Sequence, residues 1–264
     1  MKTAYIYTIV QRWAFIAAVV LLIVMNFLST SIPFGGNTVA EVSATFHTLI
    51  TPASYAFSIW GLIYLTLLVF AVFQLNKGKN TRFFRLVFPY FLINVLSNVL
   101  WLIAFQHELL GLSVFIMLIT LGSLIVIFSY FYRLRNALST THRYFFQVPF
   151  SLYFGWISIA TIVNISAFLY SLQLPVFNNS PELFSIIMLI LGATLGLYIL
   201  FAKKDYIYTF VIVWAYVAIW IQHADVPAIM NTAKFAAIAL IAAIAIQFIA
   251  DRIKVAQYRS TASS

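Results

Sequence analysis

The sequence predicts an all-α membrane protein, a polytopic bundle of about eight transmembrane helices with both termini in the cytoplasm. Of its 264 residues, 64% are hydrophobic and only 8% are charged, whereas soluble domains carry about 25% charged residues. Eight apolar runs are long enough to cross a bilayer, which requires roughly 20 residues each. Runs of that length exclude the short strands of a membrane barrel, so the spans are helical.

The eight predicted spans follow one another with mostly short connections. They cover about residues 12–31, 52–75, 85–106, 109–132, 144–171, 183–202, 206–222 and 229–250. Two outer connections are longer, residues 32–51 and 172–182, and long loops in compact proteins are often functional. We expect the first to form a lid that carries Glu41 and His47; a solvated connector is the alternative for both loops.

The basic residues lie almost entirely on one side of the predicted bundle. With the N-terminus inside, all of the 15 Lys and Arg residues except Lys234 fall on the inner side, while Glu41, Glu108, Glu182 and Asp225 lie outside. This is the positive-inside distribution of membrane proteins. It accounts for the net charge of +9 without nucleic acid, so the predicted partner is the lipid bilayer.

Three of the predicted spans carry aromatic and amide side chains on one helix face. Residues three, four or seven apart share a face, and each set below follows that spacing. The sets are Phe57, Trp60 and Tyr64 in span 2; Asn94, Asn98, Trp101 and Phe105 in span 3; and Trp156, Ala160 and Asn164 in span 5.

These side chains also share a depth. Trp60 and Asn98 lie about eight residues, and Asn164 about seven, from the outer end of their helices, which is about 12 Å for Trp60. Amides within a span face the protein interior because contact with hydrocarbon costs free energy. The pattern predicts an aromatic-lined pocket that suits a hydrophobic, ring-containing small-molecule ligand. The alternative is interhelical packing, in which Asn side chains join helices and Trp side chains fill the core.

The same residues form three motifs that occur in order along the chain. Span 2 has a proline followed by Phe-x-x-Trp and Tyr; span 3 has Asn-x-x-Trp followed by Phe; span 5 has "WISIATIVN". Their members are Pro52, Phe57, Trp60 and Tyr64; Asn98, Trp101 and Phe105; and Trp156, Ala160 and Asn164. In these motifs the chain resembles the TspO/MBR family of tryptophan-rich sensory proteins, also called translocator proteins, and its length is similar to the family's eight-helix branch. The family's Lys-Pro-x-Trp before span 2 is absent, since "FHTLITPAS" stands there.

The resemblance implies a five-helix bundle over residues 12–171. The apolar runs and the basic residues predict three additional spans over residues 183–250 and a cytoplasmic tail over residues 251–264. The resemblance also implies a pocket in the outer half of the bundle, under the loop between spans 1 and 2, that binds porphyrins or other hydrophobic ligands. A porphyrin or haem-like ligand is therefore expected, and no cofactor is required. The expected ligand-binding residues are Pro52, Phe57, Trp60, Tyr64, Asn94, Asn98, Trp101, Phe105, Trp156, Ala160 and Asn164. We expect an integral protein of the bacterial plasma (inner) membrane with a sensing or transport role.

The residues favour such a role over an enzyme. The chain has no cysteine, which excludes a thiolate nucleophile, and no Asp or Glu lies in the middle of a span. The four histidines have no metal-ligand spacing, so neither catalytic nor metal-binding residues are predicted. Two alternatives stay open: a secondary transporter of a small apolar solute, and porphyrin breakdown that uses Trp60 or Trp101. The Gly192-x-x-x-Gly196 face could pack inside the chain or in a homodimer, and the sequence favours neither.

Overall fold

The computed structural model describes residues 2–46, 48–75, 81–174 and 179–262, and every regular element in those ranges is a helix. His47, Lys77 and Lys79 therefore lie outside the described residues. The helices are α1 (Lys2–Ser31), α2 (Val39–Thr45), α3 (Ile59–Phe73), α4 (Thr81–Gln106), α5 (Leu110–Leu134), α6 (Thr140–Ser171), α7 (Pro181–Lys203), α8 (Tyr206–Gln222) and α9 (Pro227–Ala262). A 3-10 turn, Ser54–Ser58, leads directly into α3.

The predicted membrane fold is confirmed. Among the described residues, seven helices are long and apolar enough to cross a bilayer. The eighth predicted span is α8, whose 17 residues reach about 25 Å, near the lower limit for a span. The remaining short helix, α2, lies inside the outer loop of residues 32–51, and α9 continues as a helix through most of the predicted tail.

The first five spans form a closed ring in the order α1, α4, α5, α6, α3 and back to α1. The other three spans attach to this ring mainly where α8 packs on α6, while α7 and α9 pack on α8 and on each other. Gly155 makes the α6–α8 contact close, because a Cβ atom there would lie 2.9 Å from Cβ of Val211 and 3.1 Å from the backbone oxygen of Tyr208. Small residues allow this kind of approach between membrane helices.

The glycine face of α7 packs inside the chain. A Cβ atom on Gly192 would lie 2.5 Å from the Tyr216 hydroxyl of α8, and one on Gly196 would lie 3.1 Å from the Leu240 side chain of α9. Of the two alternatives for this face, the structure therefore shows internal packing. A homodimer through another surface stays a prediction.

A buried carboxylate joins the ring to the added helices at their inner end. Asp205 is fully buried and caps α8 by accepting a hydrogen bond from the Tyr208 backbone N–H (3.1 Å). Its other oxygen accepts hydrogen bonds from the hydroxyls of Ser151 on α6 and Tyr132 on α5. Burial raises the pKa of Asp205, and these hydrogen bonds partly oppose the shift. One side chain thus connects α5, α6 and α8.

Candidate functional site

The outer end of the ring is covered by the short helix α2. A capping box starts this helix: the Thr38 hydroxyl accepts a hydrogen bond from the Glu41 backbone N–H (3.3 Å), and the Glu41 carboxylate accepts one from the Thr38 N–H (2.7 Å). The hydrogen bond from the Thr38 N–H lowers the pKa of Glu41. Val42 of this helix is completely buried, so α2 packs against the end of the ring; we refer to α2 as the lid.

The segment before the lid is fastened to the end of α4. The Gln106 amide donates a hydrogen bond to the Ser29 backbone oxygen (2.6 Å), and its Oε1 accepts one from the Phe34 N–H (3.2 Å). Gly35 lies directly against the backbone of Gln106, since a Cβ atom on Gly35 would fall 1.8 Å from the Gln106 carbonyl oxygen. The position of the lid therefore depends on a glycine at residue 35.

The segment after the lid is fastened to α8. The Ala53 N–H donates a hydrogen bond to the Ala218 oxygen (3.2 Å), and the Trp214 indole N–H donates one to the Ala56 oxygen (3.2 Å). His223 donates from Nε2 to the Thr51 oxygen (3.0 Å), and burial lowers the pKa of this imidazole. The added helices therefore hold the start of span 2, a role that the sequence did not reveal.

A groove lies beneath α2, between α1 and α3, with α4 as its floor. Its volume is about 490 Å³, within the range of about 300–1,000 Å³ for small-molecule sites. Trp60, Tyr64 and Trp101 give it aromatic walls, and hydroxyl groups cluster at its outer end. The lining is Ile23, Asn26, Phe27, Ser29, Thr30, Ser31, Thr38, Val39, Ala40, Phe57, Trp60, Gly61, Tyr64, Trp101 and Leu102.

A smaller cavity lies deeper in the bundle, between α2, α4 and α6. Its volume is about 40 Å³, enough for a few water molecules or a small chemical group but not for a ring system. Its lining is Val39, Ser43, Pro52, Phe57, Trp101, Phe105, Trp156, Ile159, Ala160, Val163, Asn164 and Ala167. Val39, Phe57 and Trp101 line both spaces, so they form the partition between the groove and the deeper cavity.

The aromatic stripes of spans 2 and 5 meet at this partition. The Trp60 ring stacks on Tyr64, with centroids 5.4 Å apart, and meets Trp156 edge-on at 6.3 Å. Phe57 also meets Trp156 edge-on, at 5.8 Å. Trp101 stacks on Phe105 of its own helix at 5.0 Å. Both arrangements are the preferred geometries of aromatic pairs.

A comparison with protein-family models identifies the family. The model described as TSPO-like protein matches residues 11–246. The chain belongs to the TSPO-like protein family. The match runs through α7 and α8 and into α9, beyond the five spans over which the sequence motifs were found. Comparisons with curated proteins and with solved structures gave no match.

In this TSPO-like protein Asn94 and Asn98, two of the predicted ligand-binding residues, form hydrogen bonds between helices. Neither residue lines the groove or the deeper cavity. The Asn94 amide donates hydrogen bonds to α5, at the Thr120 backbone oxygen (3.2 Å) and the Ser123 hydroxyl (3.0 Å). Asn98 Oδ1 accepts a hydrogen bond from the Asn26 amide of α1 (3.1 Å). These contacts are those of the alternative given above, in which Asn side chains join helices. Ligand contact by Asn94 and Asn98 stays a prediction.

In the TSPO-like protein Asn164 both forms hydrogen bonds between helices and lines the deeper cavity. Its Oδ1 accepts a hydrogen bond from the Trp101 indole N–H (2.8 Å), and its amide donates one to the Ser113 hydroxyl of α5 (2.9 Å). Asn164 also lines the deeper cavity, together with Pro52, Phe105, Trp156 and Ala160. It therefore fixes the orientation of Trp101, which belongs to the partition.

Several residues that line the groove or the deeper cavity were not predicted from the sequence. Asn26 is an amide inside span 1, and its polarity at that depth was a usable signal. The pattern Thr38-x-x-Glu41 is a capping-box sequence, which predicts the start of α2. Val39 and Ser43 carry no such signal, because nothing in a short loop helix indicates which of its side chains will face the bundle.

Proposed function

We propose that this TSPO-like protein binds a hydrophobic, ring-containing ligand, with a porphyrin or related tetrapyrrole as the leading candidate, in the groove beneath α2. The proposal includes a sensing or transport role in the bacterial plasma membrane. The observation that carries it is the groove itself, which is large enough for a ring system and bordered by Trp60, Tyr64 and Trp101. Aromatic walls favour flat ligands by stacking and by burial of apolar area.

Tyr64 supplies the polar contact that would orient such a ligand. Its hydroxyl is buried and has no hydrogen-bond partner among the described residues, although Tyr64 lines the groove. A buried polar atom without a partner costs free energy. Rotation of the Tyr64 side chain would turn this hydroxyl into the groove, where a ligand carbonyl or ring nitrogen would accept its hydrogen bond and remove that cost.

Replacing Tyr64 with phenylalanine tests the site. We expect Tyr64→Phe to weaken binding of protoporphyrin IX dimethyl ester by about tenfold, since a buried hydrogen bond contributes about 1 kcal/mol or more. The thermal midpoint should stay unchanged or rise, because the variant removes an unpaired buried hydroxyl. The measurement is an absorbance titration of the porphyrin in detergent, alongside thermal unfolding.

Tyr198→Phe is the matched control. Tyr198 lies on α7 with an exposed side chain and lines neither space. Its variant should bind the ester like the wild type. Equal affinity in Tyr64→Phe and wild type would contradict the role of the hydroxyl, and the lack of saturable binding by the wild type would contradict the proposed function.

The groove also favours one charge state of the ligand. Lys, Arg, His, Asp and Glu are all missing from the described residues that line the groove and the deeper cavity. Burying a carboxylate without a cation or a set of hydrogen bonds costs several kcal/mol. The proposed ligand is therefore neutral where it enters the groove.

A comparison of two porphyrins checks this preference. Protoporphyrin IX dimethyl ester should bind at least about tenfold more tightly than the free diacid at pH 7, a difference of about 1.4 kcal/mol. Titrating both porphyrins into protein-free detergent micelles measures the greater partitioning of the ester, which is then subtracted. Tighter binding of the diacid would indicate a cationic contact that the described lining does not contain.

A further inference from the structure

The groove reaches the lipid-facing surface of the bundle. Two of its lining residues, Phe27 on α1 and Gly61 on α3, lie on opposite sides of the groove. Phe27 is 68% exposed, and Gly61 is exposed as well. A Cβ atom on Gly61 would have nothing within 4 Å. The space between α1 and α3 is therefore open to the side.

The opening lies at the level of the outer leaflet. Phe27 is four residues before the end of α1 at Ser31, and Gly61 is two residues after the start of α3 at Ile59. Both helix ends face outward in the orientation set by the basic residues. The side of the groove at this level would border acyl chains rather than water.

On the aqueous side, the segments on both sides of α2 are held in place by hydrogen bonds. The segment before α2 is held by Gln106, and the segment after it is held by α8 through the Ala53–Ala218 hydrogen bond. Val42 of α2 is completely buried, so α2 also packs against the bundle through an apolar contact. Displacing α2 to widen the groove from the aqueous side would break these hydrogen bonds, whereas entry through the lateral opening breaks none of them.

We infer that the ligand enters and leaves the groove sideways, from the outer leaflet, through the opening between α1 and α3. The inference rests on the proposed function and assigns the ligand class: a neutral, bilayer-dissolved amphiphile with a flat apolar body. The apolar body would lie against Trp60 and Trp101. Its polar end would lie near the hydroxyls of Ser29, Thr30 and Thr38, which line the outer end of the groove close to the membrane surface.

Two substitutions at the rim test the route in opposite directions. Gly61→Phe places a ring in the open space at the rim, and Phe27→Ala removes one. With the protein in liposomes and protoporphyrin IX dimethyl ester as the probe, stopped-flow quenching of tryptophan fluorescence gives the association rate, and dilution into empty liposomes gives the dissociation rate. Gly61→Phe should slow both rates by about fivefold or more, and Phe27→Ala should accelerate both, because a narrowed entrance acts on the barrier in both directions.

Gly122→Phe is the matched control, since a Cβ atom at Gly122 of α5 also meets nothing within 4 Å and the residue lines neither space. Its rates should equal those of the wild type, and thermal unfolding verifies that all variants fold. Association rates in Gly61→Phe and Phe27→Ala that stay within about twofold of the wild type would overturn lateral entry while leaving the proposed function intact. Lateral entry would also be overturned if Gly61→Phe accelerated dissociation and left association unchanged. That result would show that residue 61 contacts the bound ligand but does not border its entrance. Absence of saturable binding in the wild type would instead overturn the proposed function, and this inference with it.

Discussion

Gly35→Ala is expected to displace the lid and to destabilise the outer end of the protein. The added methyl group would lie 1.8 Å from the Gln106 carbonyl oxygen and 2.5 Å from its carbon. Both atoms belong to the backbone of α4, so no side-chain rotation can make room. The loop must move away, which breaks the Phe34–Gln106 hydrogen bond and lifts Val39 from the partition. Such overpacking costs about 1–3 kcal/mol or more, equivalent to a thermal midpoint lowered by about 3–10 °C.

Two measurements check this expectation. Thermal unfolding in detergent reports the loss of stability, and hydrogen exchange of the amides in residues 33–46 reports whether the loss is local. Gly36→Ala is the neighbouring control: its φ of +89° strains an alanine, but nothing lies within 4 Å of the added atom. Gly36→Ala should lower the free energy of unfolding by about 1 kcal/mol and should leave the hydrogen exchange of the Phe34 amide unchanged. Equal behaviour of the two variants would show that the close approach at Gly35 does not hold the lid.

Asp205→Ala is expected to loosen the added helices from the ring. The variant removes the cap of α8 and leaves the hydroxyls of Ser151 and Tyr132 without their acceptor. A lost cap costs about 1 kcal/mol and each lost hydrogen bond to a charged group about 1.5–3 kcal/mol, while relief of the buried charge offsets part of this. A net loss of about 3 kcal/mol follows, which thermal unfolding would measure as a drop of about 6–12 °C.

Asp205→Asn separates the hydrogen bonds from the charge. Its side-chain oxygen can still cap α8, so its loss of stability should be about half that of Asp205→Ala. The pH dependence should differ too. Because burial raises the pKa of Asp205, the folded state holds this proton more tightly than the unfolded state. Wild-type stability should therefore fall as the pH rises from about 4 through the raised pKa, and be flat above it.

The difference in thermal midpoint between wild type and Asp205→Asn, measured from pH 4 to pH 8, isolates this contribution. The thermal midpoint of Asp205→Asn should be closest to that of the wild type, or above it, at the high end of this pH range. A difference that does not change with pH would contradict a raised pKa. An unchanged midpoint in Asp205→Ala would contradict the role of this carboxylate as the inner link between α5, α6 and α8.

The positions of the spans could be predicted closely, because each depends on one helix at a time. The predicted span of residues 206–222 coincides with α8, and the predicted 183–202 corresponds to Pro181–Lys203. Periodicity also placed Phe57 and Trp60 on one face and Trp156 on another, and those faces do meet. The candidate site was harder, because it depends on how neighbouring helices are rotated against one another.

The asparagines show why the rotation of each helix about its own axis could not be predicted from the sequence. Asn94 and Asn98 share a stripe with Trp101, yet Asn94 bonds to α5 and Asn98 to α1, while Trp101 bonds to Asn164 of α6. A stripe on one helix is broad enough to face several neighbours in a ring. Which neighbour each member meets is settled by packing and hydrogen bonding between helices.

The sequence by itself determined the membrane class and the spans, which follow from composition and run length. It also indicated the family, through three ordered motifs, and the family model matches it. The tertiary structure decided that the aromatic residues border a lateral groove and a small inner cavity, that Gly35 seats the lid against α4, and that α8 holds the start of span 2. In lipid, apolar side chains are equally soluble on both sides of a helix, so hydrophobicity cannot indicate the inward face. Only the fit between helices does so.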